Sequence, residues 1–281
     1  MAVRIVTDST ADMSPQLARE LGVSVVPLSV IFGDEVYKEG VQISHDLFYE
    51  KLVHSKVLPT TSAPSVGDFL AVYEPLLSET DEIVSIHLSS KLSATCNNAR
   101  QAADQLRERG ARIEIVDSQV VSLGMSFIVG AAARAAAGGA KTEEIKAVIE
   151  RMIPCVRILV VLDTLEYVRR GGRIGRARAF LGNVLRVKPI LYIRDGEVHP
   201  GERVRTKSLA LERIFQIATS YPRVIEAGVA YSTNPQDAEE LCRRMGEALP
   251  GMTVSVTRLG PVIGVHAGPG VLGVGVLEGE E

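Results

Sequence analysis

Apolar and polar positions follow two rhythms along this chain. Short apolar runs that end on polar residues, such as VRIVTD (3–8), EIVSIHLS (82–89) and ARIEIVDS (111–118), read as buried strands. Amphipathic stretches stand between them. Residues 14–21 begin a helix behind Ser14 with Pro15 in the first turn, and 44–53 and 65–77 do so behind Ser44 and Ser65. VSVVPLSVIF, GDE and VYKEG read as strand, turn, strand, and TTSAPS (60–65) as a polar loop. Residues 94–109 predict a long helix, 121–137 a small-residue helix buried on most sides, and 142–152 a helix capped by Thr142. The repeat of strand, polar loop and helix is the signature of a parallel sheet with helices on both faces. Ligands of such sheets lie beyond the C-terminal strand ends. DSTAD (8–12), HLSSKLSAT (87–95) and VDSQ (116–119) are therefore expected on one edge.

The rhythm then changes. A strand at 157–164 precedes a basic helical stretch at 165–185, and 188–205 is a hairpin turning at Asp195-Gly196. Helices over 206–221 and 235–249 alternate with strands at 226–232 and 253–259. A glycine loop, GPVIGVHAGPG (260–270), runs into a last strand at 271–278. The expected fold class is α/β with two domains. Residues 1–155 form a parallel-sheet domain with helices on both faces, and 156–281 a mixed-sheet α/β domain.

Composition narrows this picture. The 281 residues carry 46% apolar and 23% charged side chains, ordinary for a soluble globular protein with a real core. A net charge of −3 gives no support to a nucleic-acid binder. Cys96, Cys155 and Cys242 are far apart with no CxxC spacing, which indicates neither zinc nor a disulfide framework and suits free thiols in a reducing cytoplasm. No signal peptide is read at the start and no membrane span anywhere, so a cytoplasmic location is expected.

The glycine loop raises the question of chemistry, because His266 stands alone inside it. A phosphate loop would open a helix and carry a lysine, whereas this segment has two prolines, no lysine and a following strand. A metal needs more ligands than one histidine, and His45, His54, His87 and His199 show no ligand spacing. A Ser–His nucleophilic pair stays open, with Ser62, Ser89, Ser90 and Ser93 in polar loops but no GxSxG elbow. Hydroxyls and backbone N–H groups in TTS and LSSKLSAT suit a small anion such as one carboxylate. An ordinary turn histidine and ordinary capping residues are the plainer readings of each segment taken singly.

Taken together, VTDSTAD (6–12), TTSAPS (60–65), LSSKLSAT (88–95), VDS (116–118), LEYVRRGGRIG (165–175) and GPVIGVHAGPG (260–270) resemble the DegV family of bacterial fatty-acid-binding proteins. They occur in the family's order across nearly the whole chain. The resemblance implies a long-chain fatty acid, such as palmitate, in a tunnel between two domains. Its carboxylate would be held by Thr61, Ser93 and His266, with Ser62 and Ala94 beside them. It also implies a binding subunit without its own nucleotide site, and so no enzyme by itself. An ATP-binding fatty acid kinase subunit would phosphorylate the bound carboxylate, giving an acyl phosphate for phospholipid synthesis. No metal or other cofactor is implied. The chain departs from the family pattern at Ala63, where Gln is frequent, and at Lys91 and Ala94, where Gly is frequent. Lys91 would add positive charge near the carboxylate.

Physical chemistry suits that role. Each buried methylene contributes about 0.8 kcal/mol, so about fifteen offer on the order of 10 kcal/mol before entropy losses. The buried carboxylate then requires hydrogen bonds. On this reading the donors are neutral, and the glycines of 260–270 give backbone clearance around the headgroup. PLSVIF, FIVGAAA and residues 180–191 are candidate tunnel walls. Arg170 and Arg173, within the set Arg169, Arg170, Arg173, Arg176 and Arg178, read as either a solvated face or a docking surface for the kinase subunit with Arg203, Arg205 and Lys207. A Ser–His acyl hydrolase or transferase, and a lipid carrier or sensor without a kinase partner, are the rival functions.

Overall fold

The computed structural model describes residues 2–180 and 187–279. Its first strands are β1 (Arg4–Asp8), β2 (Val23–Val26), β3 (Ser29–Phe32), β4 (Glu35–Lys38), β5 (Thr60–Ser62), β6 (Glu82–His87) and β7 (Arg112–Asp117). The remaining ones are β8 (Val156–Val161), β9 (Lys188–Arg194), β10 (Glu197–Val204), β11 (Val224–Tyr231), β12 (Val254–Arg258) and β13 (Leu272–Glu278). Helices α1 to α6 are Pro15–Glu20, His45–His54, Val66–Leu77, Thr95–Arg107, Leu123–Ala137 and Thr142–Met152. Helices α7 to α10 are Glu166–Arg170, Lys207–Thr219, Pro235–Ala248 and Pro261–Ala267.

The fold is α/β, as expected. A parallel four-stranded sheet has the order β2-β1-β6-β7, and a mixed six-stranded sheet the order β10-β9-β8-β13-β11-β12. The C-terminal ends of β1, β6 and β7 bring the three polar segments to one edge. Helix α5 packs against β1 on one side and against β8, β11 and β13 on the other. Its small residues permit this double contact: a β-carbon at Gly124 would stand 2.7 Å from Val156 Cγ1 and 3.0 Å from Ile158 Cδ1. The largest apolar cluster therefore draws on both sheets, from Ile5 and Val84 through Met125 and Ile128 to Ile158 and Leu191.

Capping chemistry fixes several helix starts where the sequence placed them. Ser14 Oγ accepts from Leu17 N at 3.1 Å, and Ser65 and Asp68 exchange a capping box. The Asp195-Gly196 turn is made, with φ of 52° and 78°. Thr142 is instead the first helical residue of α6, and Lys141 holds the cap position, its N–H donating to Glu144 Oε2 at 2.8 Å.

Three segments differ from their expected form. TTS is a strand: Thr60, Thr61 and Ser62 pair antiparallel with Ile31, Val30 and Ser29 in a small sheet ordered β4-β3-β5. Three residues are too few to display a period, and the partner lies some thirty positions away. The basic stretch 165–185 is broken by Gly171-Gly172, the second at φ 72°, into α7 and a 3-10 turn at Gly175–Phe180. Residues 181–185 of it lie outside the described residues. The glycine loop contains α10, which starts at Pro261 and ends at Gly268 with φ 83°.

Candidate ligand-binding site

A narrow cavity of about 150 Å³ runs between the two sheets. Leu28, Leu88 and Leu123 line it from the first half, and Ile158, Leu162 and Leu191 from the second. Thr61, Ser93, Arg173 and His266 are polar residues of its wall. Of the expected wall segments, PLSVIF supplies Leu28 and 180–191 supplies Leu191, while FIVGAAA belongs to the core behind. Residues 181–186 lie outside the described residues.

Strand alternation explains Thr61. Along β5, Thr61 and then Ala63 face the cavity, and Ser62 between them is exposed, its hydroxyl donating to Ala63 O at 3.2 Å. Thr61 Oγ1 lies 2.8 Å from His266 Nε2. Burial, and then the nearby Arg173 charge, lower the His266 pKa to about 4, so the imidazole is neutral near pH 7. With its proton on Nε2, the ring donates to Thr61 Oγ1. The Thr61 hydroxyl proton is then free to point into the cavity.

Ser93 comes from the turn before α4. Its Oγ accepts from Thr95 N at 3.3 Å and lies 2.8 Å from the fully buried Thr95 hydroxyl, which fixes its rotamer. Arg173 ties the two sides together. Its Nε donates to Leu92 O at 3.0 Å, next to Ser93, and its Nη1 to Gly171 O at 2.7 Å, against the His266 ring. These four polar side chains therefore gather on one part of a channel wall that is apolar elsewhere apart from Ser122, which is bonded to Asp12. A guanidinium stands among donors that sequence reasoning made wholly neutral.

The glycines of 260–270 clear space for protein groups. Added β-carbons at Gly264, Gly268 and Gly270 would collide with Phe48, the Tyr167 ring and the Asp163 carboxylate. At Gly260 one would lie 2.5 Å from Glu39 Oε1 and 2.8 Å from Asp12 Oδ1. Those carboxylates occupy the start of α10: Gly260 N donates to Asp12 Oδ1 at 2.9 Å and Val262 N to Glu39 Oε1 at 2.7 Å. Burial, and then repulsion from Glu39, push Asp12 up to about 8, while burial, with a smaller push from Asp8, raises Glu39 to about 7. Asp12 and Glu39 escaped the sequence reading because their partners in α10, Gly260 and Val262, are more than two hundred residues away. The one available signal was the polar DSTAD segment at a strand end.

The other expected site residues are placed as follows. Ala94 is exposed at the cap of α4, away from the cavity wall. Lys91 reaches the hairpin turn instead of the headgroup end, donating to Asp195 O at 2.8 Å, while Ser89 Oγ donates to Gly196 O at 2.7 Å. Arg169 and Arg170 are exposed and both engage Glu166. Arg203 lies 4.3 Å from the Phe180 ring centroid, Arg205 is exposed, and Lys207 pairs with Asp237 at 2.8 Å.

A Ser–His–Asp array does exist, at residues the sequence did not single out. His87 Nδ1 lies 3.0 Å from Asp8 Oδ2, and its Nε2 lies 2.7 Å from Ser85 Oγ, which also accepts from Tyr73 OH. All four side chains are buried in the core and none lines the cavity. The array satisfies polar groups and holds β1 to β6.

Fold and site together define an α/β protein whose two sheets close on a narrow, largely apolar channel with Thr61, Ser93, Arg173 and His266 in its wall. A family model described as "Uncharacterised protein, DegV family" matches residues 2–279. A DegV domain-containing protein of Halalkalibacterium halodurans is 39% identical over 276 residues, covering 97% of each chain. The chain belongs to the DegV family. A solved structure described as fatty acid binding of a DegV family protein from Thermus thermophilus is 35% identical and superposes with a TM-score of 0.91 over 99% of this chain and all of that one. A stearic acid-binding protein from Eubacterium ventriosum is 26% identical, with a TM-score of 0.92 over 98% of both chains.

Proposed function

We propose that this chain binds one long-chain fatty acid, with its tail in the channel and its carboxylate at Thr61, Ser93 and His266. The observation that carries this reading is the cluster of those three side chains and Arg173 on one part of an otherwise largely apolar cavity wall. Thr61 and Ser93 donate hydroxyl protons to the carboxylate, and neutral His266 orients Thr61. Arg173 supplies the counter-charge that a half-buried anion needs. The descriptions of the Thermus and Eubacterium proteins as fatty-acid and stearic-acid binders support the ligand class. The division of labour is between residues 1–155, which bring Thr61 and Ser93, and 156–281, which bring Arg173 and His266.

The chain then presents the carboxylate to a separate ATP-dependent subunit that forms the acyl phosphate. Exposed Arg169 and Arg170, just before Arg173, put positive charge beside that end and suit a docking partner handling phosphate. Extraction of the purified protein, followed by palmitate titration of wild type and of Thr61→Ala, Ser93→Ala and His266→Ala, tests the ligand reading. Unchanged affinity in all three variants would sink it. Acyl-phosphate formation on adding an ATP-binding fatty acid kinase subunit tests the second step. Its failure with lipid binding intact would leave a carrier.

A further inference from the structure

A second and larger cavity of about 860 Å³ lies behind the tail end of the channel. The two share Ile158 and Ile193 as lining residues. These isoleucines are direct antiparallel partners on β8 and β9, so their side chains stand together on one face. Three chain segments pass from one cavity to the other at this point. Along β8, Val156 lines the second cavity, Ile158 both, and Val160 the channel. Along β9, Arg194 lines the second, Ile193 both, and Leu191 the channel. Before α5, Gln119 and Val120 line the second, and Val121 and Ser122 the channel. Ile158 is held in place from the other side, since its Cδ1 would lie 3.0 Å and 3.2 Å from β-carbons added at Gly124 and Gly275.

We propose that the Ile158–Ile193 pair is the septum that ends the acyl channel and limits chain length, and that the cavity behind it takes the terminal methylenes of longer chains once the septum is reduced. The inference rests on the lipid reading above. On that reading the carboxylate is fixed at Thr61, Ser93, Arg173 and His266. Ile158 and Leu162 both line the channel, four residues apart along β8 and the residue that follows it. Tail length is thus measured against a rigid strand, and the septum is where it stops. Beyond it the wall is part apolar, from Val120, Val156 and Tyr221, and part polar, from Glu150, Arg157 and His199. Tails a few methylenes too long would find cover there, whereas much longer ones would meet water and charge.

The test is a competition series of saturated fatty acids from lauric to behenic acid against a fluorescent fatty acid. It is run on wild type, Ile193→Ala, Ile158→Ala and, as a milder packing change, Ile158→Val. The expected result is a shift of the affinity maximum to longer acids in the alanine variants. Acids two methylenes beyond the wild-type maximum should gain roughly tenfold, and Ile158→Val should shift in the same direction by less. If Ile158→Ala does not fold, the half-buried Ile193→Ala and the valine variant carry the test. Fatty acids bound with an unmoved length profile in the folded variants would overturn the septum while leaving the lipid reading intact. No fatty acid bound by the wild type would remove both.

Discussion

The His266 ring occupies the space where a side chain on residue 171 would begin. A β-carbon on Gly171 would collide with His266 Nδ1, and the same glycine's carbonyl accepts from Arg173. Gly171 therefore sets the histidine's position and anchors the guanidinium beside it. Gly171→Ala is expected to displace the ring and weaken palmitate binding by roughly tenfold or more, the scale of one lost hydrogen bond to a charged group. Gly172→Ala is the control. It has open space around it but a φ of 72°, so it should lower stability by about 1 kcal/mol and leave affinity unchanged. Isothermal titration and urea unfolding of both variants separate the two effects.

Arg173 and Arg170 should behave differently although three residues apart. Arg173→Gln keeps a planar donor but loses the charge in the cavity wall, and palmitate affinity should fall about tenfold. Arg170 is exposed and paired with Glu166, so Arg170→Ala should leave palmitate affinity within about twofold. Equal effects of the two variants on lipid binding would contradict the placement of Arg173 at the headgroup.

Truncating Thr61 or Ser93 removes one donor each. Hydrogen bonds to a charged group contribute about 1.5–3 kcal/mol, so each alanine variant should lose roughly ten- to a hundredfold in palmitate affinity. Ser62→Ala, on the outward face of the same strand, should lose almost nothing. Competition with a fluorescent fatty acid reads all three.

The carboxylates at the start of α10 predict a pH dependence of stability. The folded-state pKa of Asp12, about 8, and that of Glu39, about 7, lie above the ordinary values of 3.8 and 4.5. Folded protein therefore holds these protons more tightly than unfolded chain. The contribution is complete below pH 4 and is lost as pH rises towards 8, at up to about 1.4 kcal/mol per pH unit for each fully linked proton. His266 has the opposite sign: its folded value of about 4 makes its contribution present above pH 6.5 and lost towards pH 4. Unfolding midpoints in urea should thus fall between pH 6.5 and 8.5 in the wild type. Asp12→Asn keeps an acceptor for Gly260 N–H and should flatten that fall. An equally steep fall in the variant would rule Asp12 out as its source.

Much of this molecule is legible in the order of its residues, for physical reasons that also mark where reading stops. The Asp195-Gly196 turn and the Ser14, Ser44 and Ser65 caps are local, so short motifs reveal them. The strand at Thr60–Ser62 and helix α10 are made by partners far along the chain, β3 in one case and Phe48, Glu39 and Asp12 in the other. Glycine and proline in 260–270 argue for a loop until tertiary packing supplies what propensity lacks. Thr61, Ser93 and His266 could be singled out as a set only by resemblance to a family. The inward turn of Arg173 and the outward turn of Ser62 needed the fold. So did the clearance provided by each glycine, which serves Tyr167, Asp163 and His266 in place of a headgroup.

The channel passes through the same apolar cluster that joins the two sheets, with Leu88, Leu123, Ile158, Leu162 and Leu191 belonging to both. A bound tail is then a piece of the hydrophobic interior supplied from outside the chain. Ligand that binds only the folded state raises its stability by mass action. If the proposed function holds, protein with a bound fatty acid should outlast protein without it under proteolysis, and the amount of this chain in a cell would track the supply of that lipid.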